Sequence, residues 1–150
     1  MRRLLLILPL VFYGCDLLQQ TPITREVINT PEAPAAIGPY SQAIKIGPTM
    51  YCSGQIGLNP ATGDLVTGDI QEETRQVLKN LGAVLRAGGM DYKHVASATV
   101  YLADLNDYKI VNEVYAEFFK ENKPARAAVQ VARLPREARV EIACMAIKVD

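Results

Sequence analysis

The sequence predicts an α+β domain: two helices on one mostly antiparallel sheet, in the order β-β-β-α-β-α-β-β. Three observations carry it. Apolar residues recur near the helical 3.6-residue period over 69–87 and 106–122. Short segments rich in β-branched and aromatic residues flank them, as strands require. Glycine and proline mark the boundaries between segments. With 150 residues, 49% of them hydrophobic, a single domain with a real core is the default.

The first segment, MRRLLLILPLVFYGCDLLQQ, is different. Arg2 and Arg3 precede a ten-residue apolar run from Leu4 to Tyr13. A spanning helix needs about 20 apolar residues, so the run fits the core of an export signal instead. Gly14–Cys15 follows and resembles a bacterial lipobox, in which Cys15 is lipidated and becomes the mature N-terminus. The expected division is a signal peptide over 1–14, a tether over 15–26 and the domain over 27–150. The protein is then exported and membrane-anchored, facing the periplasm or the cell exterior. An early start codon is the competing reading, and it places the chain in the cytoplasm.

The domain begins with a short strand near 26–29. Pro31, Pro34, Gly38 and Pro39 make the next stretch an ordered loop, with Tyr40 at its end. Strands follow at 41–46 and 50–53, joined at Gly47–Pro48, and Ser53–Gly54–Gln55 ends the second. The helix over 69–87 has Asp69 to cap it, Glu72 at capping-box spacing, and Gly88–Gly89 to stop it. Val95 to Leu102 is a strand. In the helix over 106–122, Tyr108, Val111, Val114, Tyr115, Phe118 and Phe119 supply the buried face, and Pro124 closes it. One covered sheet face leaves the other open, and association is the simplest way to cover it.

PARAAVQVARLPREARVEI, at 124–142, reads as strand, turn, strand. It places two opposite charges, Arg126 and Glu141, in apolar alternating surroundings. An inward charge on a strand is costly unless paired or functional. A turn centred on 134–137 sets Glu141 opposite Gln130, on the face of Arg126. The two are then four residues apart along the strand, about 13 Å, too far for a salt bridge but able to converge on a small molecule.

Composition excludes several classes. Sixteen basic and sixteen acidic residues, with no basic block, give no phosphate-tracking surface for nucleic acid. One histidine (His94, read as a surface residue) and three cysteines without a CxxC give no metal site. Cys52 and Cys144 read as small buried strand residues.

Four stretches together resemble the RidA (YjgF) family of reactive imine and enamine deaminases: AIGPYSQAI at 36–44, CSGQIGLNPATG at 52–63, VYLADLNDY at 100–108, and the 124–142 stretch. The resemblance implies a chorismate-mutase-like fold assembled as a homotrimer, with sites in the clefts between subunits. It implies hydrolysis of 2-imino and 2-enamino acids to 2-keto acids and ammonia, without metal or organic cofactor. Arg126 matches the arginine that binds the substrate carboxylate, and Glu141 the glutamate that handles the water. Tyr40, Ser53 and Asn112 match residues that line the cleft. Relatives often carry a thiol or hydroxyl where Ala127 and Ala128 stand, so no such chemistry is assigned there.

Alternatives stay open at this point. Arg126 can be a structural ion-pair partner, and Glu141 can bond backbone or Arg139. A tethered, non-catalytic protein that binds small carboxylates, or acts as a chaperone-like surface, would also keep Arg126.

Overall fold

A computed structural model describes residues 22–149. The signal-peptide reading, Cys15 and most of the tether lie outside the described residues. The elements run β1 (Arg25–Ile28), β2 (Ala43–Ile46), β3 (Thr49–Ile56), α1 (Ile70–Ala87), β4 (Val95–Leu102), α2 (Tyr108–Phe118), β5 (Ala125–Gln130) and β6 (Val140–Ile147). The predicted order and fold class stand.

Helix α1 begins where Asp69 accepts the Glu72 N–H at 2.8 Å, a side-chain cap rather than a full box. It ends at Gly88, and Gly89 takes the left-handed φ of +74° that stops the helix. Its inner face supplies Val77, Leu78, Leu81, Val84 and Leu85 to the core. Helix α2 is shorter than 106–122: a 3-10 turn occupies Leu105–Asp107, and the helix stops at Phe118. Tyr108 is exposed, at 41%, so it leaves the predicted buried face while Val111, Val114, Tyr115 and Phe119 keep it. His94 is not a free surface residue. Its Nδ1 accepts the Asp91 N–H at 3.0 Å and caps the turn before β4. Cys52 and Cys144 are buried, free, and face one another across β3 and β6.

The sheet order is β1-β2-β3-β6-β4-β5. The predicted hairpin of the last two strands is therefore wrong. Strand β4 lies between them, antiparallel to β6 and parallel to β5. The turn residues 134–137 do not reverse the chain onto a neighbour but carry it past β4. Strand β3 also runs on to Ile56, through a bulge between Cys52 and Gln55, instead of ending at Ser53.

These corrections change the faces. Ala98 of β4 pairs with Arg126 and Cys144, whereas Tyr101 pairs with Val129 and Glu141. Ala98 and Tyr101 are an odd number of residues apart, so they point to opposite faces. Arg126 points toward the helices and Glu141 toward the open face. The prediction that they share a face fails because the register through β4 sets Glu141 level with Val129, not Gln130. The open face itself is apolar: Val27, Ile46 and Tyr51 are exposed there, with Ile44, Met145 and Ile147 half-buried.

Candidate active site

The bulge in β3 builds the cleft. It inserts an extra residue opposite β6, which bends the strand and re-aims Ser53 and Gly54 toward Glu141. Gly54 is required there. A Cβ at Gly54 would lie 2.7 Å from Glu141 Cδ and 2.9 Å from its Cγ. We expect Gly54→Ala to displace the Glu141 carboxyl and to cost about 1–3 kcal/mol of stability, as overpacking does. Thermal denaturation would read this as a drop of several degrees. An unchanged melting temperature would mean that Glu141 swings clear without cost.

The rest of the cleft is held by buried polar groups. Gln42, almost fully buried, accepts the Thr30 N–H at 2.7 Å and donates to Pro34 O at 2.8 Å. This pins the proline-rich loop that carries Tyr40. From α1, Asn80 donates to Ile56 O and Leu58 O at 3.1 and 2.8 Å, and fixes the end of β3. Glu73 accepts the Arg139 N–H at 2.8 Å and fixes the start of β6. Its carboxyl is raised above the usual range by burial.

Pro135 closes one wall. It starts a turn in which Arg136 and Glu137 both adopt φ of 60°. Left-handed backbone costs a non-glycine residue roughly 1–2 kcal/mol. Here an Arg133–Glu137 ion pair and the buried Leu134 and Ala138, packed with Ile56 and Leu58, hold the turn in place.

Tyr40, Ser53, Gly54, Gln55, Pro135 and Glu141 line the resulting cleft of about 360 Å³. Ser53 Oγ donates to Ser41 O at 2.7 Å. Tyr40 is 47% exposed at the rim, with its hydroxyl accepting the Ile37 N–H at 3.3 Å. Desolvation alone raises the pKa of Glu141, and among the described residues no basic side chain offsets it. The Arg139 alternative for Glu141 is excluded, since Arg139 pairs with Asp107 at 3.0 Å.

Arg126 and Asn112 sit elsewhere, beside α2. Arg126 Nη2 donates to Asn112 Oδ1 at 2.7 Å and lies 3.5 Å from Tyr108 Oη. Its guanidinium carbon stands 4.5 Å from the centre of the Tyr115 ring. Every one of these partners is neutral, so the structural ion-pair reading of Arg126 does not hold among the described residues. The five candidate residues thus form two groups: Tyr40, Ser53 and Glu141 on the open face, Arg126 and Asn112 on the helix face at the sheet edge. Sequence reasoning missed Gln42, and it placed Tyr115 only in the core. Tyr108, Asn112 and Tyr115 fall at i, i+4 and i+7 on α2, a spacing that puts them on one face and could have linked them to Arg126.

A mixed sheet with two helices on one face, an open apolar face, a carboxylate cleft and an edge arginine define a class of small α+β proteins. The chain belongs to the family described as Endoribonuclease L-PSP, whose profile matches residues 30–148. A human protein named 2-iminobutanoate/2-iminopropanoate deaminase is 53% identical over 84% of this chain and 92% of its own length. A RutC family protein of Pyrococcus horikoshii is also 53% identical, over 83% of this chain and 98% of its own. The crystal structure of the YjgF gene product of E. coli superposes with a TM-score of 0.79 at 41% identity, covering 83% and 99% of the two chains. E. coli TdcF with bound serine also superposes at 0.79, with 40% identity over 83% and 99%.

Proposed function

We propose that the chain hydrolyses reactive 2-imino and 2-enamino acids to 2-keto acids and ammonia, in clefts completed by a second copy of itself. The observation that carries this is the state of the two charges. Among the described residues, Glu141 is a desolvated carboxylate without a cation, and Arg126 is a guanidinium held by neutral groups only. A substrate carboxylate can supply the charge that Arg126 lacks, and a water the proton that Glu141 can accept.

In this reading Arg126 grips the substrate carboxylate through parallel N–H···O bonds. Glu141 takes a proton from water as the water oxygen attacks the imine carbon, and that proton passes on to the imine nitrogen to give the carbinolamine. The carbinolamine hydroxyl then gives up its proton through Glu141 to the amino group, the C–N bond breaks with release of ammonia, and the carbonyl of the keto acid forms. An enamine is first protonated on carbon to give the same imine. Tyr40 and Ser53 place the substrate along the cleft wall, and Asn112 contributes through Arg126. No metal or organic cofactor is invoked.

The names of the human and mouse relatives, at 53% and 55% identity, support the substrate class, and the serine bound to TdcF supports a small carboxylate ligand. The family description points to RNA cleavage instead. The zero net charge and a cleft with a carboxylate and, among the described residues, no basic lining residue favour the small imino acid. Release of ammonia and 2-oxopropanoate from freshly generated 2-iminopropanoate, above the buffer rate, would support the proposal. An unchanged rate, with 2-oxopropanoate still bound, would favour the non-catalytic carboxylate-binding reading. The export-like first segment is what keeps that reading in view, because export separates the protein from the cytosolic pyridoxal-phosphate enzymes that generate most imino acids.

A homotrimer completes the site in this proposal. It covers the apolar open face and brings a neighbour's edge strand β5 to the Glu141 cleft. Sedimentation equilibrium should give three copies, and a stable folded monomer would remove the shared cleft. The anchor is a separate proposal. Cys15→Ser should abolish labelling by a clickable fatty acid and free the protein from the membrane fraction, whereas equal labelling of both forms would remove the lipobox. A single acyl chain binds only marginally, so a multiply acylated N-terminus or assembly is needed for firm anchoring.

A further inference from the structure

We infer that Tyr115 is a positioning residue for Arg126, whose guanidinium rests on the face of the Tyr115 ring. This rests on the reading of Arg126 as the group that binds the substrate carboxylate.

The geometry is specific. The guanidinium carbon is 4.5 Å from the Tyr115 centroid, well inside the range of a cation–π contact, and 5.9 Å from that of Tyr108, at its limit. Tyr115 is itself fixed: it stacks on Phe119 at 4.2 Å with 14° between the planes, and Tyr92 meets Phe119 edge-on at 4.9 Å. The platform is therefore anchored in the core. Asn112 then fixes the guanidinium from one side, at 2.7 Å. An arginine has five N–H donors in a rigid fork, so most remain free for a ligand.

The chemistry of the holders matters as much as their positions. A carboxylate at 112 or 115 would grip Arg126 more strongly but would neutralise the charge the ligand needs. An amide and an aromatic face hold it and leave that charge available. The Tyr115 hydroxyl also bears on the argument. It is buried with no hydrogen-bond partner among the described residues. Burial pushes it up to about 12, against the pull of Arg126. An unpaired buried hydroxyl is a cost, not a gain. What the site uses is the ring, and phenylalanine should serve as well.

The test replaces Tyr115 by Phe, then by mono-, di- and trifluorinated phenylalanines, which drain the ring face of charge at nearly constant shape. Two readouts are taken on the full chain: the Kd of 2-oxobutanoate by calorimetry, and the rotation rate of the Arg126 guanidinium by ¹⁵N NMR without ligand. Tyr115→Phe should match the wild type. Fluorination should weaken binding stepwise, by about tenfold at the trifluoro stage, and speed guanidinium rotation in parallel. Tyr115→Leu should do the same in one step. If Tyr115→Leu does not fold, the fluorinated series alone decides. A flat series in both readouts overturns the inference, because a packing role is blind to ring charge. If 2-oxobutanoate does not bind even the wild type, the carboxylate reading of Arg126 falls. The rotation series then decides the contact by itself: a stepwise increase supports it, and a flat series overturns it.

Discussion

Glu141→Gln should lower imine hydrolysis by about a hundredfold or more, the usual contribution of a positioned base. Glutamine keeps the shape and the hydrogen-bonding reach but cannot take a proton from water. Binding of a 2-keto acid should be nearly unchanged, since Arg126 carries that affinity in the proposed mechanism, so the loss should fall on kcat and not on KM. The pH profile carries a second signature. Burial raises the Glu141 pKa above the ordinary carboxylate value. In the proposed mechanism the active form is ionised, so wild-type activity should fall as pH drops through that raised value, and the residual activity of Glu141→Gln should lack this limb. Stability should move the other way. A carboxyl whose folded pKa is raised is stabilising in its neutral form, below the unfolded pKa, and that contribution is lost as pH rises through the folded pKa. Glutamine mimics the neutral form. Glu141→Gln should therefore be more stable than wild type at neutral pH, and the difference should vanish in acid. A variant that is less active and also less stable at neutral pH would make Glu141 a structural residue.

Arg126→Lys should cut hydrolysis by about tenfold or more. Losing one charge-assisted hydrogen bond costs on the order of 1.5–3 kcal/mol, and lysine offers no fork for two carboxylate oxygens. It also loses the planar face that lies on Tyr115. Here the expected change is in KM and in 2-keto acid affinity, with fold and assembly retained because the charge remains. Circular dichroism and sedimentation would check the latter. If Arg126→Lys unfolds the chain, the arginine is holding α2 to β5 and not a ligand.

Where the sequence carried local information, it located elements to within a residue. Helix α1 is bounded by Asp69 and by Gly88–Gly89, and β4 by its own alternation from Val95 to Leu102. Tyr40, Ser53 and Glu141 were each legible because each lies in a motif, but the sequence joined them with Arg126 and Asn112 in one site, whereas within one chain only the first three share a cleft. The relation between Arg126 and Glu141 was not legible. Alternation assigns faces within a strand, but the phase between two strands depends on the path of the chain that joins them. A short polar turn between two alternating segments looks like a hairpin, and nothing local reports that β4 is inserted between them. Tyr115 was hidden for a related reason. A buried aromatic on an apolar helix stripe has the same pattern whether its ring meets only the core or also carries a cation on one face.

The placement of Arg126 and Glu141 on opposite faces of one sheet has a genetic consequence. If each cleft draws its carboxylate from one copy and its arginine from the next, the two defects complement each other. Chains carrying only Arg126→Lys and chains carrying only Glu141→Gln would each be impaired in every cleft when expressed apart. Co-expressed in one cell, they would form mixed rings, and every mixed ring would hold a single intact cleft. A chain carrying both changes could restore neither allele. Mixed with wild type, it would spoil the clefts on both of its sides, so the double mutant would act as the more dominant allele.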